Sequence, residues 1–321
     1  MVSEVSLGTM TFGHQCDEPT SHAIMDLAAE RGITFIDTAD AYPIPTSLAT
    51  VGRTEEYIGR WLCGRRDDYV LATKCHIETG PGANDWGNSR RHVIAAVNDS
   101  LRRLQADYID LLYIHKWDER TPIDETLEAF DTLRRSGKIR YGGCSNVLGH
   151  QLMSSLWESD KRNIARFDAV QPRYNLLYRE LERELLVAAR EHGVGVITYN
   201  PLAGGLLTGK YSSGTSMPKE GRFTLGASGD LYRARYFQDA QVEIAKNLAE
   251  DVKSRGKSIT HVALRWVLDR PEVTSAIIGA TSVAQLADSL GGVDITLDEA
   301  DRSACDSAWW AVPRRPPAEE R

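Results

Sequence analysis

Residues 204–210 have the spacing G-x-x-x-x-G-K, which in nucleotide triphosphatases forms the loop that holds phosphate. In those enzymes a helix begins at the lysine, and the next residue is a Ser or Thr whose hydroxyl binds Mg²⁺. Here Tyr211 takes that position, and the stretch SSGTSMPKEGRF that follows it contains glycines and a proline, which do not predict a helix. An ATPase is therefore disfavoured, and from the spacing alone a chance match is the better explanation.

A second set of polar or backbone-exposing residues follows short apolar runs, in stretches such as IDTADAYP, ATKCH, YIHKWD and GGCSN. The set comprises Asp37, Asp40, Tyr42, Lys74, His115, Ser145, Asn146, Gln171, Tyr199, Gly279 and Thr281. Taken alone, each residue has an ordinary structural explanation, such as a turn carboxylate, a rim aromatic, a solvated lysine or a buried histidine. The set indicates a site only if the fold brings the ends of these runs together.

The apolar runs predict eight strands, over residues 5–10, 33–36, 69–73, 109–114, 139–143, 168–171, 194–198 and 275–278. Most of them lack strict alternation, which is typical of parallel strands that are buried on both faces. The segments between them predict helices. One of these opens on Ser89, a good N-cap, and another runs from Pro122 to just before Gly137.

Strands that alternate with helices predict the α/β class, and eight such units predict a (β/α)8 TIM barrel, a single domain over residues 1–321. The active site of a barrel lies at the carboxyl ends of its strands, where the polar set falls. A doubly wound open sheet is the alternative, although no G-x-G-x-x-G follows the first strand. Residues 203–236 are expected to form a long loop, and residues 309–321 an irregular tail.

The composition is that of a globular protein, with 42 % hydrophobic and 26 % charged residues. A net charge of −7 argues against nucleic acid or an anionic membrane as partner. The five cysteines are scattered and never in CxxC spacing, which favours reduced thiols over disulfides or a metal site. The sequence has neither a signal-peptide pattern nor an apolar run long enough for a bilayer, so a cytoplasmic protein is expected.

Nine stretches in this order make the sequence resemble the aldo-keto reductase family over nearly its whole length. They are GTMTFG (8–13), GITFIDTADAY (32–42), GRTEEYIG (52–59), LATK (71–74), SLRRLQADYIDLLYIHKWD (100–118), GKIRYGGCSN (137–146), QPRYNLLYR (171–179), GVITYNPLAGGLLTGKY (195–211) and IIGATSVAQL (277–286). The resemblance implies the same barrel, with NADPH bound in an extended form at the carboxyl ends of the strands.

The resemblance implies a catalytic tetrad of Asp37, Tyr42, Lys74 and His115 for the reduction of an aldehyde or ketone to an alcohol. A tyrosine, with an ordinary pKa of about 10, is a poor acid at neutral pH. A nearby ammonium stabilises the phenolate. Lys74, held by Asp37, would therefore make Tyr42 the general acid, and His115 would bind the carbonyl oxygen.

The cofactor residues follow from the same resemblance. Ser145, Asn146 and Gln171 would bind the nicotinamide carboxamide, and the ring of Tyr199 would stack on the nicotinamide. The opening motif becomes the pyrophosphate loop, which residues 203–236 would extend over the cofactor. Its implied contacts are Asn200, Leu202, Gly204, Leu206 and Lys210, and those of the adenosine end are Gly279, Thr281, Gln285, Asp288 and Ser289.

Two departures from the family pattern concern the cofactor, and a third concerns the loop after the second strand. The stretch GATSVAQLADS offers no Arg or Lys for the 2′-phosphate of NADPH, so NADPH is favoured with NADH as an alternative, and Arg222, Arg233 or Arg235 are candidates for that phosphate. Ser289 stands where an Asn is usual, which weakens the adenine contacts. Pro43 follows Tyr42 where Gly is common.

The natural substrate and the oligomeric state stay open. His76, Trp86 and Trp117 are the candidates for the walls of a pocket for a small carbonyl substrate, with ordinary packing as the alternative for each tryptophan. The long loop resembles the branch of the family that contains channel β-subunits and actinobacterial sugar-ketone reductases. The rival function is a cofactor-binding regulatory or partner-binding module with little turnover, and no metal site is expected.

Overall fold

The computed structural model describes residues 1–211 and 221–314. In this part of the chain the strands are β1 (Val5–Gly8), β2 (Phe35–Asp37), β3 (Val70–Cys75), β4 (Ile109–Ile114), β5 (Ile139–Ser145), β6 (Phe167–Gln171), β7 (Gly195–Tyr199) and β8 (Val273–Gly279). Each strand pairs in parallel with the next, and β8 pairs with β1, so the sheet closes into a barrel. The predicted (β/α)8 barrel is confirmed, and no predicted strand end is more than two residues from the observed one.

The strands are rich in apolar residues because the barrel buries both of their faces. One buried apolar cluster takes residues from six strands and so fills the barrel: Phe35, Ala72, Leu111, Tyr113, Ala169, Ile197 and Ile277. The parallel register aligns Lys74 with Tyr113, and Ser145 with Gln171. The register therefore brings the carboxyl ends of the strands, and the polar residues that follow them, to one rim.

The helices of the described residues are α1 (Glu18–Glu30), α2 (Arg53–Trp61), α3 (Arg90–Leu104), α4 (Ile123–Arg135), α5 (Gly149–Arg162), α6 (Leu185–Glu191), α7 (Gly226–Tyr236), α8 (Asp239–Ser254), α9 (Ile259–Leu268), α10 (Val283–Leu290) and α11 (Glu299–Ala311). Their ends follow the sequence signals. Ser89 caps α3 by accepting a hydrogen bond from the His92 amide at 3.3 Å. Gly137 stops α4 with a φ of 76°, a left-handed conformation that favours glycine.

The chain forms two compact units. The first, called the barrel unit, comprises residues 1–172, 181–199 and 272–286 and contains all eight strands and helices α1 to α6. The second unit comprises residues 173–180, 200–271 and 287 onward, and it contains α7, α8, α9 and α11. Its own core is aromatic, with the rings of Tyr174 and Trp266 at 5.4 Å.

Two segments expected to be irregular contain helix. Residues 226–236 of the expected long loop form α7, and α11 continues through Ala311, so Trp309 and Trp310 are helical. The α11 helix is fixed by a capping box between Asp298 and Asp301 at its start and by burial of Trp309 near its end. Residues 212–220 of that loop and 315–321 of the expected tail lie outside the described residues.

Across residues 1–211 and 221–314, no helix combines the length and the apolar character that crossing a membrane requires.

Candidate active site

A lysine–carboxylate pair lies at the carboxyl ends of β2 and β3. Lys74 Nζ lies 2.5 Å from Asp37 Oδ1 and donates a second hydrogen bond to the Thr38 carbonyl at 2.7 Å. The side chains of Lys74 and Asp37 are only 1 % and 4 % exposed. Since an unpaired charge is costly in such surroundings, the two groups depend on each other to remain ionised.

Tyr42 and His115 lie against this pair. The Lys74 ammonium is 5.3 Å from the centroid of the Tyr42 ring, and the rings of Tyr42 and His115 meet edge to face at 5.8 Å. His115 directly follows β4, and its amide donates to the Cys75 carbonyl at 2.8 Å. The structure thus brings together all four residues of the implied tetrad.

Burial sets the charge states of this cluster. It lowers the pKa of Lys74 and raises that of Asp37, while the attraction between the two groups opposes both shifts. Burial, reinforced by repulsion from Lys74 and His76, holds the pKa of His115 well below its ordinary value. The His115 imidazole is therefore neutral at neutral pH and carries a single N–H.

A second group of polar side chains, called the amide cluster, lies at the carboxyl ends of β5, β6 and β7. It consists of Ser145, Asn146, Gln171 and Tyr199. Asn146 Nδ2 donates to Ser145 Oγ at 3.0 Å and to the His115 carbonyl at 2.9 Å, and Tyr199 Oη donates to Asn146 Oδ1 at 2.6 Å. Ser145 Oγ in turn donates to the Gln171 carbonyl at 2.8 Å. The cluster ties three strand ends to His115.

Gln171 has a contact that the sequence did not predict. Its Nε2 donates to Asp37 Oδ2 at 2.6 Å, and only 3 % of the surface of Gln171 is exposed. Both oxygens of the Asp37 carboxylate are therefore occupied, one by Lys74 and one by Gln171. Gln171 holds the carboxylate in place in this structure, whereas its contact with a carboxamide stays a prediction.

An open pocket of about 580 Å³ is formed by residues that follow β3 and β4. Its lining residues are His76, Ile77, Glu78, Pro81, Gly82, Ala83, Trp86 and Lys116. His76 and Trp86 were expected there, and their rings meet edge to face at 6.3 Å. Trp117, the third expected residue, is half-buried and does not line this pocket.

Two residues that shape this pocket were missed by sequence reasoning. Asn88, which is almost fully buried, bonds the His76 ring, the Lys116 carbonyl and the Asp118 carboxylate. Asp118 also accepts from the Arg120 amide and the Thr121 hydroxyl. No spacing in the sequence indicates these contacts. In the sequence Asn88 is an ordinary polar residue that precedes Ser89, the N-cap of α3.

A second buried ion pair also escaped prediction. Glu55 of α2 accepts from Arg103 Nε at 2.7 Å and from Thr73 Oγ1 at 2.6 Å. Asp40 lies near this pair, and both of its carboxylate oxygens are buried without a hydrogen-bond partner among the described residues. Burial, followed by repulsion from Glu55, raises the pKa of Asp40 well above its ordinary value, which favours the protonated, neutral form of this carboxyl group.

The glycine-rich loop belongs to the second unit. Gly204 and Gly205 have φ angles of 68° and 100°, and a side chain at Gly204 would meet the Tyr232 ring at 2.8 Å. Glycine is therefore required for the turn itself. Lys210 lies close enough to Arg222 for their repulsion to lower the lysine pKa, although burial is the larger cause. Two cations thus flank this loop.

The remaining predicted cofactor residues have individual environments. Gln285 Oε1 accepts from the amide and the hydroxyl of Thr281 at 2.9 and 2.8 Å, so this side chain caps its own helix start. In the second unit, Asp288 is exposed and its backbone carbonyl accepts a hydrogen bond from His261 Nε2 at 2.8 Å, while Ser289 is buried. Gly279 is exposed at the end of β8. The described residues contain no group of three or more His, Cys, Asp or Glu that could hold a metal ion.

Comparison with known proteins agrees with this geometry. The sequence model described as the aldo/keto reductase family matches residues 4–309. The chain is 40 % identical to a protein named uncharacterized oxidoreductase YrpG from Bacillus subtilis, over 93 % of this chain and 89 % of the relative. It is 34 % identical to a probable voltage-gated potassium channel subunit beta from Arabidopsis thaliana, over 92 % and 88 %. It is also 34 % identical to L-glyceraldehyde 3-phosphate reductase from Escherichia coli, over 89 % and 82 %.

Proposed function

The chain belongs to the aldo/keto reductase family, and on that premise we propose that it reduces an aldehyde or ketone to an alcohol with NADPH, using Tyr42 as the general acid. The observation that carries the proposal is the position of Lys74, whose ammonium lies 2.5 Å from Asp37 and 5.3 Å from the Tyr42 ring. A buried cation beside a phenol stabilises the phenolate that remains after the proton has left.

Reduction of a carbonyl adds a hydride to carbon and a proton to oxygen. In the proposed mechanism Tyr42 Oη gives its proton to the carbonyl oxygen, and Lys74 stabilises the resulting phenolate. Asp37, fixed by Gln171 at 2.6 Å, keeps the ammonium charged and in place. General-acid assistance of this kind is typically worth about 10²–10⁴ in rate.

His115 orients the substrate in this proposal. Its neutral imidazole has one N–H, which donates a hydrogen bond to the carbonyl oxygen as negative charge develops there. The edge-to-face contact with Tyr42 at 5.8 Å supports the assignment of both donors to the same oxygen. Because the imidazole is neutral, it does not compete with Tyr42 as the proton source.

The amide cluster fits a nicotinamide by the chemistry of its donors. Ser145, Asn146 and Gln171 bring hydroxyl and primary amide groups to one rim, and these groups complement a carboxamide. The half-buried Tyr199, whose hydroxyl is fixed to Asn146, offers a ring on which a flat heterocycle stacks. When bound, a reduced nicotinamide supplies the hydride.

The preference for NADPH over NADH rests on the cations of the second unit. Phosphate recognition uses Lys and Arg, and Lys210 and Arg222 lie close together at the glycine-rich loop. Arg233 of the same unit donates to the Phe223 carbonyl and to Asp230. Lys210 stays the prediction for the pyrophosphate, which NADPH and NADH share, and Arg222 is our candidate for the 2′-phosphate that only NADPH carries. Asn200, Leu202, Gly204, Leu206, Gly279, Thr281, Gln285, Asp288 and Ser289 stay predictions for the rest of the cofactor.

The experiment combines cofactor binding with turnover. NADPH and NADH are titrated against tryptophan fluorescence, and nicotinamide absorbance is followed with a panel of aldehydes and ketones. Tyr42→Phe is expected to keep the Kd for NADPH and to lower kcat by about 10²–10⁴. The matched control is Tyr141→Phe, because Tyr141 is exposed on β5.

Three other outcomes are informative. Full activity in Tyr42→Phe contradicts the assignment of the acid. Tight binding without turnover of any carbonyl favours the rival regulatory function, for which the similarity to a potassium channel subunit is the supporting observation. No binding of either dinucleotide contradicts the proposed function as a whole.

A further inference from the structure

The pocket of about 580 Å³ is lined by residues that are neighbours in the chain of those proposed for catalysis. His76 is two residues beyond Lys74, and Lys116 directly follows His115. The His76 ring lies near enough to His115 for repulsion between them to contribute to the lowered pKa of His115. We therefore expect a substrate whose carbonyl oxygen meets Tyr42 and His115 to extend its substituents toward His76 and Lys116. What the pocket recognises in such a substituent depends on which atoms of His76 are donors and which are acceptors.

Asn88 determines which nitrogen of the His76 ring is the donor, because the side-chain amide of Asn88 can be oriented in only one way. Its Nδ2 lies 2.9 Å from the Lys116 carbonyl, an oxygen that can only accept. The opposite end of the amide, Oδ1, must then face His76 Nδ1, at 3.0 Å. The backbone of Asn88 is fixed as well, by the Asp118 carboxylate at 3.0 Å and the Thr126 hydroxyl at 2.9 Å.

His76 is consequently held in one tautomer. An amide oxygen accepts, so His76 Nδ1 carries the hydrogen and Nε2 carries the lone pair. Burial lowers the pKa of His76, so the ring is neutral. Among the described residues no group bonds its Nε2, and the ring lines the pocket.

The backbone of His76 indicates that this placement is built into the loop. Its φ is 143°, a conformation that residues other than glycine rarely adopt. The strain is held by the Gly87 amide, which donates to the His76 carbonyl at 2.8 Å, and by the side chain of Asn88. Strained residues that their surroundings hold in place are concentrated at ligand sites.

We propose that His76 is a specificity-determining residue whose Nε2 accepts a hydrogen bond from a substrate hydroxyl, so that the preferred substrates are hydroxylated aldehydes or ketones. Asn88 is the positioning residue that fixes the tautomer. This inference rests on the proposed function, since it names the substrate class of the same site. An anionic substituent bound by the exposed Lys116 is the competing substrate class, and the experiment distinguishes the two.

The first test compares ketones in which a hydroxyl replaces a methyl group of the same size. The pairs are hydroxyacetone with butan-2-one, 4-hydroxybutan-2-one with pentan-2-one, and 5-hydroxypentan-2-one with hexan-2-one. For at least one pair we expect kcat/KM to favour the hydroxyketone by about fivefold, which corresponds to the typical net contribution of one neutral hydrogen bond. The preference should reside in KM rather than in kcat.

Variants locate the origin of that preference. His76→Phe keeps a ring of similar size but has no acceptor, and it is expected to abolish the hydroxyl preference, measured as the ratio of kcat/KM within each pair. Asn88→Leu releases the tautomer and is expected to reduce the preference. The control is His150→Phe, the same change at an exposed position of α5, which should leave the ratio unaltered.

The second test does not depend on turnover. Nitrogen-detected NMR of the imidazoles in the apo protein is expected to show His76 protonated at Nδ1, and hydroxyacetone should shift the Nε2 signal when added. This readout separates the two proposals. If no ketone is reduced, the proposed function fails, while the tautomer and the hydroxyketone shift still decide the role of His76.

Three results would overturn the inference. One is a dominant tautomer with the hydrogen on Nε2 in the wild-type protein. Another is a hydroxyl preference that is absent, or that survives unchanged in His76→Phe. The third is a higher kcat/KM for 4-oxopentanoate than for 5-hydroxypentan-2-one, which would assign the pocket to anionic carbonyl compounds.

Discussion

Two buried carboxylate–cation pairs lie in the barrel unit, and they differ in what surrounds the cation. Arg103 bonds Glu55 at 2.7 Å and Ser100 at 3.3 Å, and Glu55 is completed by Thr73. Lys74 bonds Asp37 and the Thr38 carbonyl, which use two of its three N–H groups. The Lys74 ammonium lies beside the phenol ring of Tyr42, whereas Arg103 donates its hydrogen bonds to Glu55 and Ser100.

The comparison shows that burial of an ion pair does not by itself indicate a catalytic role. Both pairs satisfy the physical requirement that a buried charge must be compensated. Only the Asp37–Lys74 pair places its cation within 5.3 Å of a phenol ring that can release a proton. We therefore expect one pair to control turnover and the other to control stability.

The largest expected effect is on turnover. Lys74→Met removes the cation that stabilises the Tyr42 phenolate, and kcat/KM should fall by about 10²–10⁴. Arg103→Met is the matched change in the other pair and should leave kcat/KM nearly unaltered in the fraction that is folded. Steady-state kinetics on the best carbonyl of the panel measures both. Equal losses in the two variants would remove the distinction between the pairs.

The second prediction concerns stability. Arg103→Met leaves the Glu55 carboxylate uncompensated in a buried position, and the free energy of unfolding should fall by about 3–5 kcal/mol. Adding Glu55→Gln removes the stranded charge and should restore much of that loss, because a neutral replacement of both partners is well tolerated. Urea denaturation followed by circular dichroism measures the change. A double variant as unstable as the single one would contradict the explanation by charge.

A smaller effect is expected at Gln171, the second partner of the Asp37 carboxylate. Gln171→Leu removes a 2.6 Å hydrogen bond to a charged group, which is worth about 1.5–3 kcal/mol. The unfolding free energy should drop by this amount, and the pH profile of kcat should shift because Asp37 holds Lys74 less firmly. Gln171→Glu is the companion variant, since a second carboxylate beside Asp37 should disturb that profile more. Unaltered profiles in both variants would contradict the positioning role.

The smallest effect is the pH dependence due to Asp40. Its pKa in the folded protein is raised, so its contribution to stability is complete below the pKa of the unfolded chain, about 4, and is lost as pH rises toward the folded value. Asp40→Asn imitates the neutral acid. This variant should match the wild type in thermal stability near pH 4 and exceed it at mildly alkaline pH. A constant difference at every pH would show that Asp40 is ionised in the folded protein.

Local patterns in the sequence predicted the barrel and the polar residues at the carboxyl ends of its strands. The apolar runs indicated each strand to within two residues because parallel strands buried on both faces leave a strong local signal. The rim followed, since the polar residues after these runs must meet wherever the strands do. Local pattern and family resemblance together were therefore enough to predict these site residues: Asp37, Tyr42, Lys74 and His115.

The hydrogen-bond partners of these residues could not be predicted from the sequence and are seen only in the folded chain. The bond from Gln171 to Asp37 joins positions 134 residues apart, and Asn88 orients His76 from a separate turn. Such contacts depend on rotamers and on the packing of segments that are distant in the chain, so no spacing encodes them. Helix α7 was missed for a related reason, because its glycines and weak periodicity resemble a loop until its aromatic side chains are buried.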